Sequence, residues 1–79
     1  MAQIDLKKIE EFSKDRYTIH EKVYTTYSSF DKFGEHYFQI DTYGKIDREN
    51  PEKISQSIQF DKQTAEFIVE LLKKEFDIK

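Results

Sequence analysis

The stretch from Lys53 to Phe76 constrains the fold more than any other part of the chain. Ile54, Gln56, Ile58 and Phe60 alternate with Ser55, Ser57 and Gln59, a period of two that marks a half-buried strand. At Asp61 the period changes: Ala65, Ile68, Leu72 and Phe76, flanked by Phe67, Val69 and Leu71, recur at helical spacing. The sequence therefore predicts a strand that runs into a helix (61–76) with no loop, Asp61 serving as the N-cap. A helix so placed is expected to cover the Ile54/Ile58/Phe60 side of the sheet and leave Ser55, Ser57 and Gln59 facing outward. Burial of Ile68, Leu72 and Phe76 at about 1.5–3 kcal/mol each makes this face the expected main source of stability. Leu72→Asp is then expected to unfold the domain, whereas Lys73→Ala is expected to be silent.

Upstream, residues 3–14 read as a short amphipathic helix. Leu6, Ile9 and Phe12 recur about one turn apart behind Asp5 as cap, while Lys7, Lys8, Glu10, Glu11 and Lys14 face water. A helix of about ten residues is marginal by itself and must dock on its own domain or on a second copy. From Tyr17 to Phe30 β-branched and aromatic residues dominate, as strands prefer. Asp31–Gly34 is expected to turn, and Glu35–Tyr43 to return as the second arm of an antiparallel hairpin. In that strand His36, Phe38, Ile40 and Thr42 share one face, and Tyr37, Gln39, Asp41 and Tyr43 the other. A polar loop, 45–52, with Pro51 as breaker precedes the third strand. The expected fold is α+β and a single domain over 1–79. It comprises a short N-terminal helix (3–14), a three- to four-stranded antiparallel sheet (17–60), and a C-terminal helix packed on one sheet face.

Seventy-nine residues bury only about 60–65% of their unfolded surface, so the core needs a supplement. Without cysteine, disulfides and thiolate metal sites are excluded. Association is the remaining route. With aromatic residues at 15%, a homodimer is the expected state. No basic start or long apolar run marks a secretory signal or a membrane span, so the expected setting is cytoplasmic, with no membrane partner. The net charge of −3 is spread evenly and no block is basic, which weakens any reading built on bulk attraction to phosphate.

Catalytic chemistry has little to stand on. His20 and His36 lack the spacing of metal ligands, and no cofactor is expected. Asp41 as a general base needs a partner and a pocket. Ser28, Ser29, Ser55 and Ser57 lack the setting of an activated nucleophile, and the two glycines, ten residues apart, form no phosphate loop. The chain is expected not to be an enzyme. The polar strand faces are more suggestive: Tyr37, Gln39, Asp41 and Tyr43 beside Ser55, Ser57 and Gln59, with Tyr24 or Tyr27 on the neighbouring strand. Open faces of this composition serve single-stranded nucleic acids by stacking, or protein interfaces.

The run Tyr37–Tyr43, followed by Ile54–Phe60 and the helix, resembles the single-stranded-DNA-binding coactivator domain called positive cofactor four, over about residues 18–76. That resemblance implies a sheet that holds DNA with lysines, arginines and aromatics, and helices that pair two chains. The matching positions are Lys22, Tyr24, Tyr37, Tyr43, Lys45 and Lys53. This chain departs in having a sheet poorer in basic residues, no tryptophan, and an expected N-terminal helix before the sheet. Residues 23–30 (VYTTYSSF), 37–44 (YFQIDTYG) and 55–61 (SQSIQFD) are also similar to short bacterial and phage-type proteins of unestablished role. Some of these are labelled as methionyl-tRNA formyltransferase-like. A formyl transferase must hold a folate cofactor and a tRNA acceptor end, and no residues here are suited to that. The functional expectation is a non-enzymatic binding domain for single-stranded nucleic acid. The alternative is a protein-interaction or dimerising regulatory module of bacterial or phage origin. Both use Lys22, Tyr24, Tyr37, Gln39, Tyr43, Lys45, Lys53, Ser55 and Ser57.

Overall fold

In a computed structural model, which describes residues 1–44 and 53–79, the chain forms a four-stranded mixed sheet followed by one helix. The strands are β1 (Ala2–Gln3), β2 (Thr25–Lys32), β3 (Glu35–Tyr43) and β4 (Ile54–Asp61), and the helix is α1 (Lys62–Phe76). Their spatial order is β1-β4-β3-β2. The expected α+β class is found. The charged loop 45–52, with Lys45 and Pro51, lies outside the described residues.

The hairpin forms as its composition dictates, with one unusual residue. β2 and β3 pair antiparallel from Thr25↔Thr42 to Lys32↔Glu35, so Asp31 and Lys32 belong to the strand and only Phe33 and Gly34 turn. Both turn residues have positive φ, 54° and 77°, the signature of the type I′ turn that matches strand twist. Gly34 adopts this freely; Phe33 does not, because its Cβ crowds the backbone there. Phe33 is 89% exposed, and its one notable contact is the Lys32 ammonium, 5.6 Å from the ring centre.

β3 and β4 pair antiparallel from Tyr37↔Asp61 to Thr42↔Gln56, and then Tyr43 faces Ile54. One step on β3 matches two on β4, so Ser55 is the extra residue of a bulge. The sheet is mixed rather than wholly antiparallel, because β1 runs parallel to β4 (Ala2↔Ile58, Gln3↔Gln59) and Ile4 N–H donates to the Gln59 carbonyl at 2.9 Å.

Three expectations are corrected. The helix over 3–14 is absent: Ala2–Gln3 is a strand, and only Leu6–Lys8 coils, as one 3-10 turn whose Lys7 N–H is capped by Asp5 at 2.9 Å. The open edge of β4 offers these first residues a ladder, which outcompetes a helix too short to stand alone. The β segment expected from Tyr17 begins instead at Thr25, and residues 9–24 carry neither helix nor strand.

The third correction concerns the C-terminal helix. α1 does follow β4 without a loop, and Asp61 caps it by accepting from Thr64 N–H at 2.9 Å, a bond that holds the Asp61 carboxyl below its ordinary range. At the far end Asp77 takes a left-handed conformation, and Ile78 N–H closes on the Lys73 carbonyl at 2.9 Å. Yet α1 meets the sheet chiefly where it leaves β4. Its apolar stripe is not covered: Leu72 is 47% and Phe76 70% exposed. The facing side of the sheet is open too, with Ile58 at 42%. Only the start of the stripe, Ala65 and Ile68, is half-buried, and the junction has none of the usual few loop residues, so α1 leaves β4 in the direction its cap sets.

Among the described residues no apolar side chain is buried; only Asp41, at 7% exposure, and the fully enclosed Thr64 are. The accessible surface is 7900 Å², against about 5100 Å² for a compact chain of 9.6 kDa. The radius of gyration, 14.9 Å, likewise exceeds the roughly 12 Å of a compact domain of this length. The β2–β3 and β3–β4 ladders form within the chain, while its apolar surfaces stay uncovered.

The left-handed Phe33 gives a direct test of the hairpin. Phe33→Asn should stabilise the protein by about 1 kcal/mol, since Asn tolerates this conformation with less strain. Thermal unfolding of the two proteins checks it; an unchanged or lower midpoint would show that the Phe33 ring makes contacts worth more than its backbone strain.

Candidate interaction surface

Register assigns every strand residue to a face, because directly paired residues point the same way. One face carries Thr26, Ser28 and Phe30 of β2, Tyr37, Gln39, Asp41 and Tyr43 of β3, and Ser57 and Gln59 of β4. The other carries Tyr27, Phe38, Ile40, Ile58 and Phe60. The ambiguity between Tyr24 and Tyr27 is thereby resolved. Tyr24, just before β2, belongs with the polar face and lies 5.1 Å from Tyr43, whereas Tyr27 stacks on Phe38 at 5.7 Å on the apolar one.

The polar face is organised around Asp41, which is only 7% exposed. The Gln39 amide donates to both of its carboxylate oxygens, at 2.8 and 3.1 Å, and the Ser57 hydroxyl donates to one of them. Gln59 donates in turn to the Gln39 carbonyl at 2.7 Å. A chain of donors thus runs across two strands and ends on one carboxylate. The aromatics here are also mutually engaged: Phe30 stacks on Tyr37 at 5.4 Å, and Tyr43 Oη lies 3.2 Å from Thr26 Oγ1. These polar groups hold one another in place, which suits a structural brace better than a site waiting for a reactant.

Of the residues expected from sequence to form the site, Tyr24, Tyr37, Gln39, Tyr43 and Ser57 do share this face. Ser55 sits at the bulge and leaves the regular pairing. Lys22 and Lys53 are exposed and precede β2 and β4 rather than standing in them, and Lys45 is outside the described residues. The charges on the strands of this face are Lys32 against Glu35, Asp41 and Asp61, so among the described residues it has no basic stripe. Sequence reasoning placed Gln59 here but passed over Thr26 and Phe30 as members, although their spacing in twos from Tyr24 was visible.

The apolar face holds an aromatic row across three strands: Tyr27 on Phe38, and Phe38 on Phe60 at 5.5 Å. Ile40 and Ile58 pair beside it. This row and the stripe of α1 are the two largest apolar features of the chain, and neither is covered. A cleft of about 650 Å³ also opens between the N-terminal turn and the start of α1, but its two carboxylates, Asp5 and Asp61, already cap backbone N–H groups. His36 and Asp31 pair at 2.7 Å in the open. Among the described residues no cluster of three or more His, Asp or Glu is placed to hold a metal. No helix there is long and apolar enough to cross a membrane.

The brace can be tested by removing its hub. Asp41→Ala leaves the Gln39 and Ser57 donors without their acceptor and should cost about 1–3 kcal/mol in urea unfolding. A loss below 0.5 kcal/mol, roughly the lower bound for a typical hydrogen bond, would show that the network does not stabilise the sheet.

Comparison of the chain with models of protein families, with curated proteins and with solved structures gave no match, so its function is argued from its own surfaces.

Proposed function

We propose that the chain is a non-enzymatic binding module that works as a homodimer, joined through the Tyr27/Phe38/Phe60 face and the apolar stripe of α1. One observation carries this reading: among the described residues no apolar side chain is buried, although the β2–β3–β4 ladders and the caps of α1 are formed. The excess surface, about 2800 Å² over a compact chain of equal mass, is of the scale that obligate homodimers bury. Exposed apolar patches beyond a few hundred Å² mark interaction sites in soluble proteins. The braced polar face is then left for a regulatory protein partner, in the manner of a small bacterial or phage module acting in the cytoplasm.

Single-stranded nucleic acid is the second reading. It is favoured by the aromatic pairs Tyr24–Tyr43 and Phe30–Tyr37 on the polar face, since rings on a sheet stack with bases. Three acids against one lysine on the strands of that face oppose it, because such ligands draw on neutralised phosphates.

Sedimentation equilibrium decides the first reading: the expected mass is twice 9.6 kDa. Leu72→Asp should shift that mass towards the monomer, where a self-sufficient domain would simply unfold at constant mass. A wild-type monomer at micromolar concentration would contradict the proposal. Binding of a labelled single-stranded oligonucleotide that weakens steeply with salt would favour the second reading.

A further inference from the structure

Residues 9–24 form a stretch of sixteen without helix or strand, long for a connection in a small domain. Within it the sequence alternates. Tyr17, Ile19 and Val23 fall on one parity, and Arg16, Thr18, His20 and Lys22 on the other, with Glu21 the one exception. That is the pattern of a strand with one apolar face. The segment has nothing to cover that face: Ile19 is 98% exposed and Tyr17 72%. Among the described residues, positions 9–23 make no backbone–backbone hydrogen bond. Single exposed apolar residues need no explanation, but three at strand spacing with an unpaired backbone do.

The sheet has a matching vacancy. β2 is the outermost strand, eight residues long, without proline and with a single lysine at its end, so it lacks most of the devices that protect an edge. Tyr43 N–H donates to the Tyr24 carbonyl, and pairing alternates from there. Thr25, Tyr27, Ser29 and Asp31 therefore direct their N–H and C=O groups to the free side. In its own chain Val23 cannot pair with this edge, because only Tyr24 separates it from Thr25 and a reversal needs at least two turn residues; a hairpin within one copy would take Val23 into its turn, whereas a second copy can pair the whole segment.

We infer that Arg16–Val23 is an exchange arm, which adds as an antiparallel strand to the outer edge of β2 in a second copy of the chain. The inference rests on the self-association proposed above and gives it a geometry. By two-fold symmetry the second copy returns its own arm, so each dimer holds two such ladders. Register follows from parity, since a shift of one residue would turn the arm over. Registers that set Tyr17, Ile19 and Val23 opposite odd-numbered β2 residues place them beside Tyr27 and Phe38 and extend the apolar face. The excess surface of the chain is large enough to include both this edge and the face it borders.

The test uses the full chain, which has no cysteine of its own. Amide hydrogen exchange on the wild type should show residues 17–23 protected. A nitroxide on Thr18→Cys in unlabelled chains, mixed with ¹⁵N-labelled wild type, should broaden the Thr25–Lys32 amides of the labelled copy. Ile19→Asp should weaken dimerisation about tenfold, whereas His20→Asp, on the opposite parity, should change it by less than about twofold. A dimeric mass with the arm exchanging at unstructured rates would overturn the arm and leave self-association standing. Protection without intermolecular broadening would place the strand within its own chain and also overturn the exchange. A monomeric mass would overturn both.

Discussion

The junction at Asp61 decides what the rest of the chain can do. β4 ends and α1 begins at neighbouring residues, and the Asp61 carboxylate fixes the first helical turn by accepting from Thr64 N–H. With no linker, the direction of the helix is set by the cap rather than by what the helix might cover. The stripe of α1 and the apolar face of the sheet are made by the same chain and left largely uncovered in it. Two apolar surfaces that do not cover each other within one copy can be covered between two. That is a common reason for a small domain to need an oligomer.

The β2–β3–β4 ladders form without such help. The hairpin closes through a two-residue turn despite the strain at Phe33, and the polar face is tied by the Gln59–Gln39–Asp41–Ser57 bonds. A carboxylate this enclosed is tolerable because three hydrogen bonds reach it from two donor groups. The network also fixes which side of the sheet is apolar. A one-residue slip of β4 would bring Gln56 or Ile58 opposite Asp41 in place of Ser57 and turn Phe60 away from Phe38, so the brace and the row enforce the same register.

The elements with strong periods were legible in the sequence. The switch at Asp61, the strand of alternating serines and glutamines, and the hairpin arm Glu35–Tyr43 all appear where their patterns place them. The N-terminal third was not legible, for a physical reason. Leu6, Ile9 and Phe12 carry a helical spacing, but the segment is too short to hold a helix against the pull of a free strand edge, and spacing alone does not report that competition. Membership of the polar face was readable except for Tyr24 and Tyr27: alternation over 17–30 is imperfect, with Ile19, Val23 and Tyr27 on one parity and Tyr24 and Phe30 on the other, so composition alone does not say which parity of β2 joins Tyr37 and Tyr43 until the pairing is known. Coverage of the sheet by its own helix could not be read at all, because periodicity marks a face as apolar without saying which molecule will cover it.

The central claim is that the core is completed only between copies. Its most direct test is the thermal midpoint of the wild-type chain followed over a hundredfold range of protein concentration. If folding and association are one event, the midpoint rises steadily with concentration. A sharp, cooperative transition whose midpoint does not move on dilution would mean that a single copy holds a sufficient core, and would contradict the account.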